Sequence, residues 1–327
     1  MGSKIAALIV TLVWLVVPGA CSASPLHRST PEQPCRLPVG SFQRGVGGFF
    51  HYPDAGFTSD EASGLTYIAP RRSWVDSPRT SYSPDGEELM RFDGPRAPHP
   101  LIHIEDSTTF KEVRSFSDPG NGYPLGWTAN GIAVLGAAPQ SATAPASGLA
   151  IYVVNPTDGA QELAIPDSTP SIFISGQRLL EHDALWTMPT PQQLVRISLS
   201  DGSHETWYQT KASESLNLIG TGPDGVLLVE ILTQTSRDSR YVALTRPLAA
   251  VEVSTAGLGL SGHPQAGVAD SHGLWFIGGF GRIFLFQRGE IRYVGSVPSS
   301  VAPTGPSGPL LQSTAFFRPG GPCLPET

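Results

Sequence analysis

Thr80-Ser81-Tyr82-Ser83-Pro84-Asp85-Gly86-Glu87-Glu88-Leu89-Met90-Arg91-Phe92 is a short polar-aromatic run, a tight turn and a second apolar run. Gly and Asx residues supply the positive φ that tight hairpin turns need, so the stretch reads as a β-hairpin. Related units recur along the chain. They are Gly126-Trp127-Thr128-Ala129-Asn130-Gly131-Ile132-Ala133-Val134-Leu135, the more worn Ile172-Phe173-Ile174-Ser175-Gly176-Gln177-Arg178-Leu179-Leu180, Ile219 to Val229 around Asp224-Gly225, and Gly267 to Ile277 around His272-Gly273. Their turn glycines stand at 86, 131, 176, 225 and 273, giving spacings of 45, 45, 49 and 48. A period of about 40–50 residues with several strands per unit is that of a β-propeller blade.

Each unit carries a second hairpin. Leu101–Ile104 turns through Asp106-Ser107-Thr108 into Val113–Phe116, and Ala150–Val154 turns through Asp158-Gly159 into Glu162–Ile165. Leu194–Leu199 turns through Asp201-Gly202 into Glu205–Tyr208, Tyr241–Leu244 through Arg246-Pro247 into Ala250–Val253, and Ile283–Phe286 through Arg288-Gly289 into Ile291–Val294. Two hairpins make the four strands of a blade. Polar residues such as Arg196, Ser198 and Arg292 interleave with apolar ones, as strands packed mainly on one face require. The fold class is therefore all-β, a propeller of four-stranded blades. Five blades are visible inside the chain, and a sixth is expected from Phe49–Tyr52, Leu65–Ile68 and Leu310–Phe317, with both termini closing the ring. Seven blades follow instead if the N-terminal stretch holds a whole blade. An open ring would leave strand edges and apolar faces uncovered.

Cys35 and Cys323 lie near the two ends of that ring, and we expect them to form a disulfide that clasps it. Cys21 reads differently. Met1-Gly2-Ser3-Lys4 carries one positive charge, Ile5–Val17 is an apolar run interrupted only by Thr11, and Gly19-Ala20 precede Cys21. The run is shorter than the roughly 20 residues needed to span a bilayer and has the length of a signal-peptide core. It resembles the lipobox of bacterial lipoproteins, although Pro18 stands three residues before the cysteine where that family prefers Leu. The resemblance implies lipidation of Cys21 and membrane attachment through the lipid. An ordinary secretory signal cut near Ala20 or Ala23, or an uncleaved anchor, are the alternatives. The expected organisation is a signal peptide over 1–20, a flexible Pro-containing tether over 21–36 and a single propeller over 37–327. The expected location is the outer face of the cell membrane or the periplasm, an oxidising setting in which a disulfide persists.

Tyr82-Ser83-Pro84-Asp85-Gly86 resembles the Trp-Ser-Pro-Asp-Gly repeat of TolB-type, WD40-like propellers, with a partial echo in Gly222-Pro223-Asp224-Gly225. The resemblance implies the fold and does not transfer a function, because one fold hosts many.

Composition narrows the classes further. The chain has 36 Gly and 31 Pro against 15% charged residues, which punctuates many short elements, while 40% hydrophobic residues still permit a core. Its formal net charge of −7 is opposite to the basic balance that phosphate neutralisation requires, so no nucleic-acid partner is expected. Chemical motifs are weak. Gly220-Thr221-Gly222-Pro223-Asp224-Gly225 spells G-x-G-x-x-G but runs into Val226–Val229, a strand rather than the helix a dinucleotide needs. His99 and His103 share a stretch without a third ligand nearby and read as edge histidines. His182-Asp183 reads as a loop pair, and Arg71-Arg72 with Arg237 and Arg240 as solvated surface. No Gly-x-Ser-x-Gly elbow is present, and Pro156 spoils the Asn155-Pro156-Thr157 sequon. Trp127, Trp186, Trp207 and Trp275 are spread one per blade and read as packing between blades. No catalytic, cofactor-binding or metal-binding residue is therefore assigned, and no cofactor is expected. The expectation is an exported, non-catalytic binding or scaffold module for an envelope protein, peptide or glycan. The alternative is an extracytoplasmic hydrolase or lyase with polar side chains from several blades gathered around the channel.

Overall fold

Second and third strands of the internal blades are buried in continuous runs, whereas the fourth strands are largely exposed, so each sheet is covered on both faces inside and open at its outer edge. The computed structural model describes residues 33–41, 46–60, 66–69, 72–75, 81–83, 85–93, 100–119, 122–137, 149–165, 178–181, 183–233, 239–301, 304–305, 308–309 and 317–326. The leader, Cys21 and most of the expected tether lie outside them.

In chain order the strands begin with β1 (Cys35–Ser41), β2 (Gly48–Tyr52) and β3 (Gly56–Ser59), followed by a two-stranded ribbon of β4 (Thr66–Ile68) and β5 (Ser73–Val75). The first blade is β6 (Ser81–Tyr82), β7 (Glu88–Phe92), β8 (Leu101–Asp106) and β9 (Glu112–Ser117). The second is β10 (Tyr123–Thr128), β11 (Gly131–Ala137), β12 (Leu149–Val154) and β13 (Gln161–Ile165). The third is β14 (Arg178–Glu181), β15 (Ala184–Thr190), β16 (Gln193–Ser198) and β17 (His204–Gln209). The fourth is β18 (Glu214–Thr221), β19 (Leu227–Thr233), β20 (Ser239–Arg246) and β21 (Ala249–Val253). The fifth is β22 (Val268–Asp270), β23 (Gly273–Ile277), β24 (Arg282–Gln287) and β25 (Glu290–Ser296). A short ribbon, β26 (Thr304–Gly305) with β27 (Gly308–Pro309), precedes β28 (Phe317–Pro319) and β29 (Leu324–Pro325).

The sixth blade has the order β28-β1-β2-β3, with β29 also paired to β1. The C-terminal segment supplies its inner strand in two pieces and the N-terminal segment its outer three. The Cys35–Cys323 disulfide joins β1 to the link between those pieces. All pairings within blades are antiparallel, and first strands of successive blades approach one another around the axis, as β6 and β10, β10 and β14, β14 and β18, and β18 and β22 do. Third and fourth strands of the five internal blades pair with a register shift in every case. Such bulges add local twist, which each blade needs to fan outward from the axis.

The core lies between blades. One cluster joins Met90, Ile102 and Ile104 of the first blade to Ile132, Val134 and Val154 of the second. Another joins Trp275, Ile283 and Leu285 of the fifth blade to Leu37, Val39 and Phe50 of the sixth. At about 25 cal/mol per Å² of apolar area, this repeated face-to-face burial is the main stabilising contribution. The turn glycines have a steric role as well. Gly131 (φ 139) and Gly273 (φ 147) open their second strands where a Cβ would lie 2.5 Å from the carbonyl oxygen of Val154 and of Phe286.

Several expectations need correcting. Thr66–Ile68 does not enter the sixth blade; it pairs with β5, and Tyr67 and Trp74 pack on Phe49 as a cap over the closing sheet. The first turn of the third blade falls at Asp183, because Leu180 pairs with Leu185 and Glu181 with Ala184, whereas Gly176 lies outside the described residues. Leu179 and Leu180 thus belong to the inner strand rather than to the second. Trp186 and Trp207 stand in the same sheet, on β15 and β17, with ring centroids 4.6 Å apart, so the tryptophans are not one per blade. Their packing role holds for Trp186, which joins Leu194 of the third blade to Leu216 and Val229 of the fourth.

Candidate functional site

The inner strands define the first place to look. β14, β18 and β22 turn into their second strands around a cavity of about 420 Å³ lined by Leu179, Leu180, Glu181, Thr221, Pro223 and Ala269 among others. The close approach of neighbouring inner strands is visible at Gly126 on β10, where a Cβ would meet Leu180 Cδ2 at 3.0 Å.

Glu181 is a carboxylate in this cavity. Its Oε2 accepts the indole N–H of Trp186 at 2.8 Å and faces the Thr221 hydroxyl at 3.4 Å. Oε1 is not engaged by any hydrogen bond among the described residues. The arrangement recurs in the fifth blade, where Asp270 ends β22 and its Oδ2 accepts the N–H of Trp275, again five residues later, at 2.8 Å. Asp270 also accepts the backbone N–H of His272 at 2.7 Å and that of Cys323 at 2.8 Å. Its side chain is only 8% exposed, so these donors replace lost water. Asp270 therefore fastens the C-terminal segment to the fifth blade beside the disulfide.

The residues singled out by sequence do not converge. His103, on β8 of the first blade, sits between two carboxylates, Asp93 Oδ1 at 2.9 Å and Glu112 Oε2 at 2.7 Å. Interaction with His103 is the largest cause holding both carboxyls below their usual range, through a hydrogen bond at Glu112 and through close approach at Asp93. His103 is buried, not an exposed edge residue, and His99 lies outside the described residues. Asp183 pairs with Arg196 at 3.2 Å, and His182 lies outside the description. Arg240 pairs with Glu214 at 3.4 Å, so it is not a bare basic island. Arg72 adopts a positive φ of 50°, while Arg71 and Arg237 lie outside the description. The G-x-G-x-x-G spelling at Gly220–Gly225 ends β18 and makes the turn that follows it, and the strand β19 comes next. Among the described residues, no three His, Cys, Asp or Glu side chains gather as metal ligands.

Sequence reasoning missed a second cluster. Asn217, Glu230 and Tyr241 stand directly opposite one another on β18, β19 and β20. Glu230 is fully buried; its Oε2 accepts from Asn217 Nδ2 at 2.7 Å and its Oε1 from the Tyr241 hydroxyl at 3.3 Å. Burial, with the Glu230 charge adding to it, pushes the Tyr241 phenol well above its ordinary range. The available signal was a single carboxylate inside the apolar run Leu227–Leu232.

No known protein family matches the sequence, and no curated protein does. Among solved structures, the chain is similar to an oligogalacturonate lyase in complex with manganese, with a TM-score of 0.49 and 12% identity over 68% of this chain and 65% of that one. It is also similar to the β-propeller domain of the Trilobed protease from Pyrococcus furiosus, with a TM-score of 0.44 and 11% identity over 76% of each chain. TolB from Acinetobacter baumannii gives a TM-score of 0.40 and 14% identity over 81% of this chain and 67% of that one. The chain spans 42% of a Pyrococcus horikoshii acylaminoacyl peptidase. At these identities the likeness concerns the fold alone.

Proposed function

We propose that the chain is an exported envelope protein, anchored through lipid on Cys21, whose propeller is a non-catalytic binding module that docks a peptide segment of an envelope partner at the axial cavity. The observation that supports this reading is the cavity itself. Leu179, Leu180, Pro223 and Ala269 offer an apolar wall, and Glu181 presents one oxygen not engaged by any hydrogen bond among the described residues. That combination suits an apolar side chain with an N–H or ammonium donor beside it. Mostly apolar cavities with a few placed polar groups are the common form of binding sites. The alternative hydrolase or lyase would draw on carboxylates from separate blades near the axis. Glu181 and Asp270 stand there, but both hold tryptophan N–H groups in place, a positioning task that limits their freedom to move protons.

The test compares partners retained from envelope extracts by the intact protein and by Leu180→Asp. The reading expects a stoichiometric partner with the former and its loss with the latter, while a partner retained equally by both refutes axial docking. Membrane fractionation tests the anchor. Cys21→Ser should move the protein to the soluble fraction, and unchanged membrane retention overturns lipidation.

A further inference from the structure

The two sulfurs of the ring clasp stand in unlike surroundings. Cys35 opens β1 inside the core shared by the fifth and sixth blades and is 2% exposed. Cys323 lies in the break between β28 and β29 and packs on that core only partly buried, and Pro322 beside it is exposed. β29 is held to β1 by two residue pairs, Cys35 with Pro325 and Arg36 with Leu324. Little backbone pairing therefore covers Cys323, whereas reaching Cys35 means opening the core.

An imidazole stands against the buried sulfur. His272 Nδ1 lies 4.0 Å from Cys35 Sγ and 3.2 Å from Asp270 Oδ1. A disulfide sulfur and a carboxylate oxygen are both acceptors, so this geometry puts a hydrogen on Nδ1 whatever Nε2 carries. The ring is also fixed in place. Nε2 faces the Gln33 carbonyl oxygen at 3.0 Å, and Tyr52 and Trp275 pack on the imidazole with centroids 5.8 and 6.0 Å away. Asp270 Oδ1 accepts the backbone N–H of His272 at 2.7 Å, and Oδ2 accepts that of Cys323 at 2.8 Å. One carboxylate thus sets both the imidazole and the segment that carries the outer sulfur.

The course of thiol–disulfide exchange depends on which sulfur can be reached and on how well the other leaves as a thiolate. Both criteria select one direction here. We infer that Cys323 is a site of thiol–disulfide exchange with an external dithiol, with Cys35 as the leaving sulfur. A thiolate of the dithiol bonds to Cys323 Sγ while the Cys35–Cys323 bond breaks. The electron pair of that bond goes to Cys35 Sγ, which accepts the Nδ1–H of His272. The second sulfur of the dithiol then displaces Cys323. The dithiol is thereby oxidised to a disulfide, and the two cysteines are reduced to thiols that take up its two protons. A thiolate released into an apolar core has no water to stabilise it, and hydrogen bonds to charged groups are the stronger kind. Exchange would leave the C-terminal segment on its two short ladders alone and so release the closing blade.

Peptide mapping of the full chain reads which sulfur is struck. The closed protein is exposed briefly to glutathione, quenched in acid, labelled with maleimide in denaturant and mapped without reduction. Glutathione should appear on Cys323 and maleimide on Cys35; glutathione on Cys35, or equally on both, overturns the inference. The rate of opening by dithiothreitol tests the imidazole, and His272→Leu should slow it about tenfold. The sign is diagnostic, because a variant that merely loosened the C-terminal segment would open faster. A rate equal to or above that of the wild type overturns the inference, as does a wild-type clasp that dithiothreitol opens no faster than the ring unfolds. The mapping uses the wild type and so decides the direction of attack even if His272→Leu fails to fold.

Discussion

Asp118 should make this propeller less stable at neutral pH than in mild acid, and its replacement by Asn should remove the effect. The residue follows β9 and is 8% exposed. Neither carboxylate oxygen makes a hydrogen bond among the described residues. Burial pushes its pKa up from 3.8 to about 6, opposed only by the nearby backbone N–H of Gly122. Because the folded-state value is raised, the contribution to stability is fully present below pH 3.8 and is lost as pH rises through about 6. At 1.36 kcal/mol per pH unit the difference corresponds to about 3 kcal/mol by pH 8. Asp118→Asn keeps the shape and cannot ionise. In urea titrations it should exceed the wild type by up to about 3 kcal/mol at pH 8 and match it closely at pH 4, with a rise in Tm on the order of 5 °C at the higher pH. Asp118→Leu, of similar size and without amide donors to satisfy, should show the same pH-dependent gain. Equal stability of wild type and both variants at pH 8, or a gain of the same size at both pH values, would refute burial of an unpaired charge as the cause.

Other measurements probe the closure, the turns and the outer face. Replacing Cys35 and Cys323 with Ser removes a link across a sequence separation of 288, and the chain-entropy relation puts the loss at about 6 kcal/mol at most; an unchanged urea midpoint would mean that strand pairing alone closes the ring. Gly131→Ala should lose on the order of 1–3 kcal/mol, because its positive φ and the Val154 carbonyl both exclude a Cβ, and a neutral result would show that the turn can relax. Asp93 is held below its usual range first by His103, so its contribution is present above pH 3.8 and is lost as pH falls through its lower folded-state value. Asp93→Asn should therefore flatten the acid side of the stability profile, and an acid limb identical to that of the wild type argues against the pairing.

The parts of the fold that could be read from the chain are those fixed by local chemistry. Asp85-Gly86, Asp224-Gly225 and His272-Gly273 mark first turns because a positive φ is needed there, and the second hairpins follow from Asp158-Gly159, Asp201-Gly202 and Arg288-Gly289. Where no glycine marks the turn, the reading slipped. The third blade turns at Asp183, and the nearest glycine, Gly176, drew the boundary too early. Nor could the short run Thr66–Ile68 reveal whether it joins the closing sheet or caps it, since pairing with Ser73–Val75 satisfies its backbone equally well. The polar cluster was hidden for a different reason. Asn217, Glu230 and Tyr241 meet only through the register of three strands.

The closing blade shows how such long-range register becomes a mechanical constraint. β28 pairs with β1 through Val39–Ser41, and β29 pairs with the other end of β1 at Cys35 and Arg36. The inner strand of this blade is thus broken, and the break contains Cys323. Two short ladders of two or three residue pairs hold the C-terminal segment weakly by hydrogen bonds alone. The disulfide sits at the break, and the Cys323 N–H donates to Asp270 of the neighbouring blade. The covalent link therefore acts on the segment least able to hold itself, and Asp270 ties that segment to the fifth blade as well as to the sixth. Loss of the Asp270 carboxylate should then loosen the C-terminal segment even with the disulfide intact. Hydrogen exchange in Asp270→Ala should rise first at Phe317–Pro325 and leave the second and third blades protected; uniform loss of protection around the ring would instead mean that Asp270 supports the whole core rather than the closure.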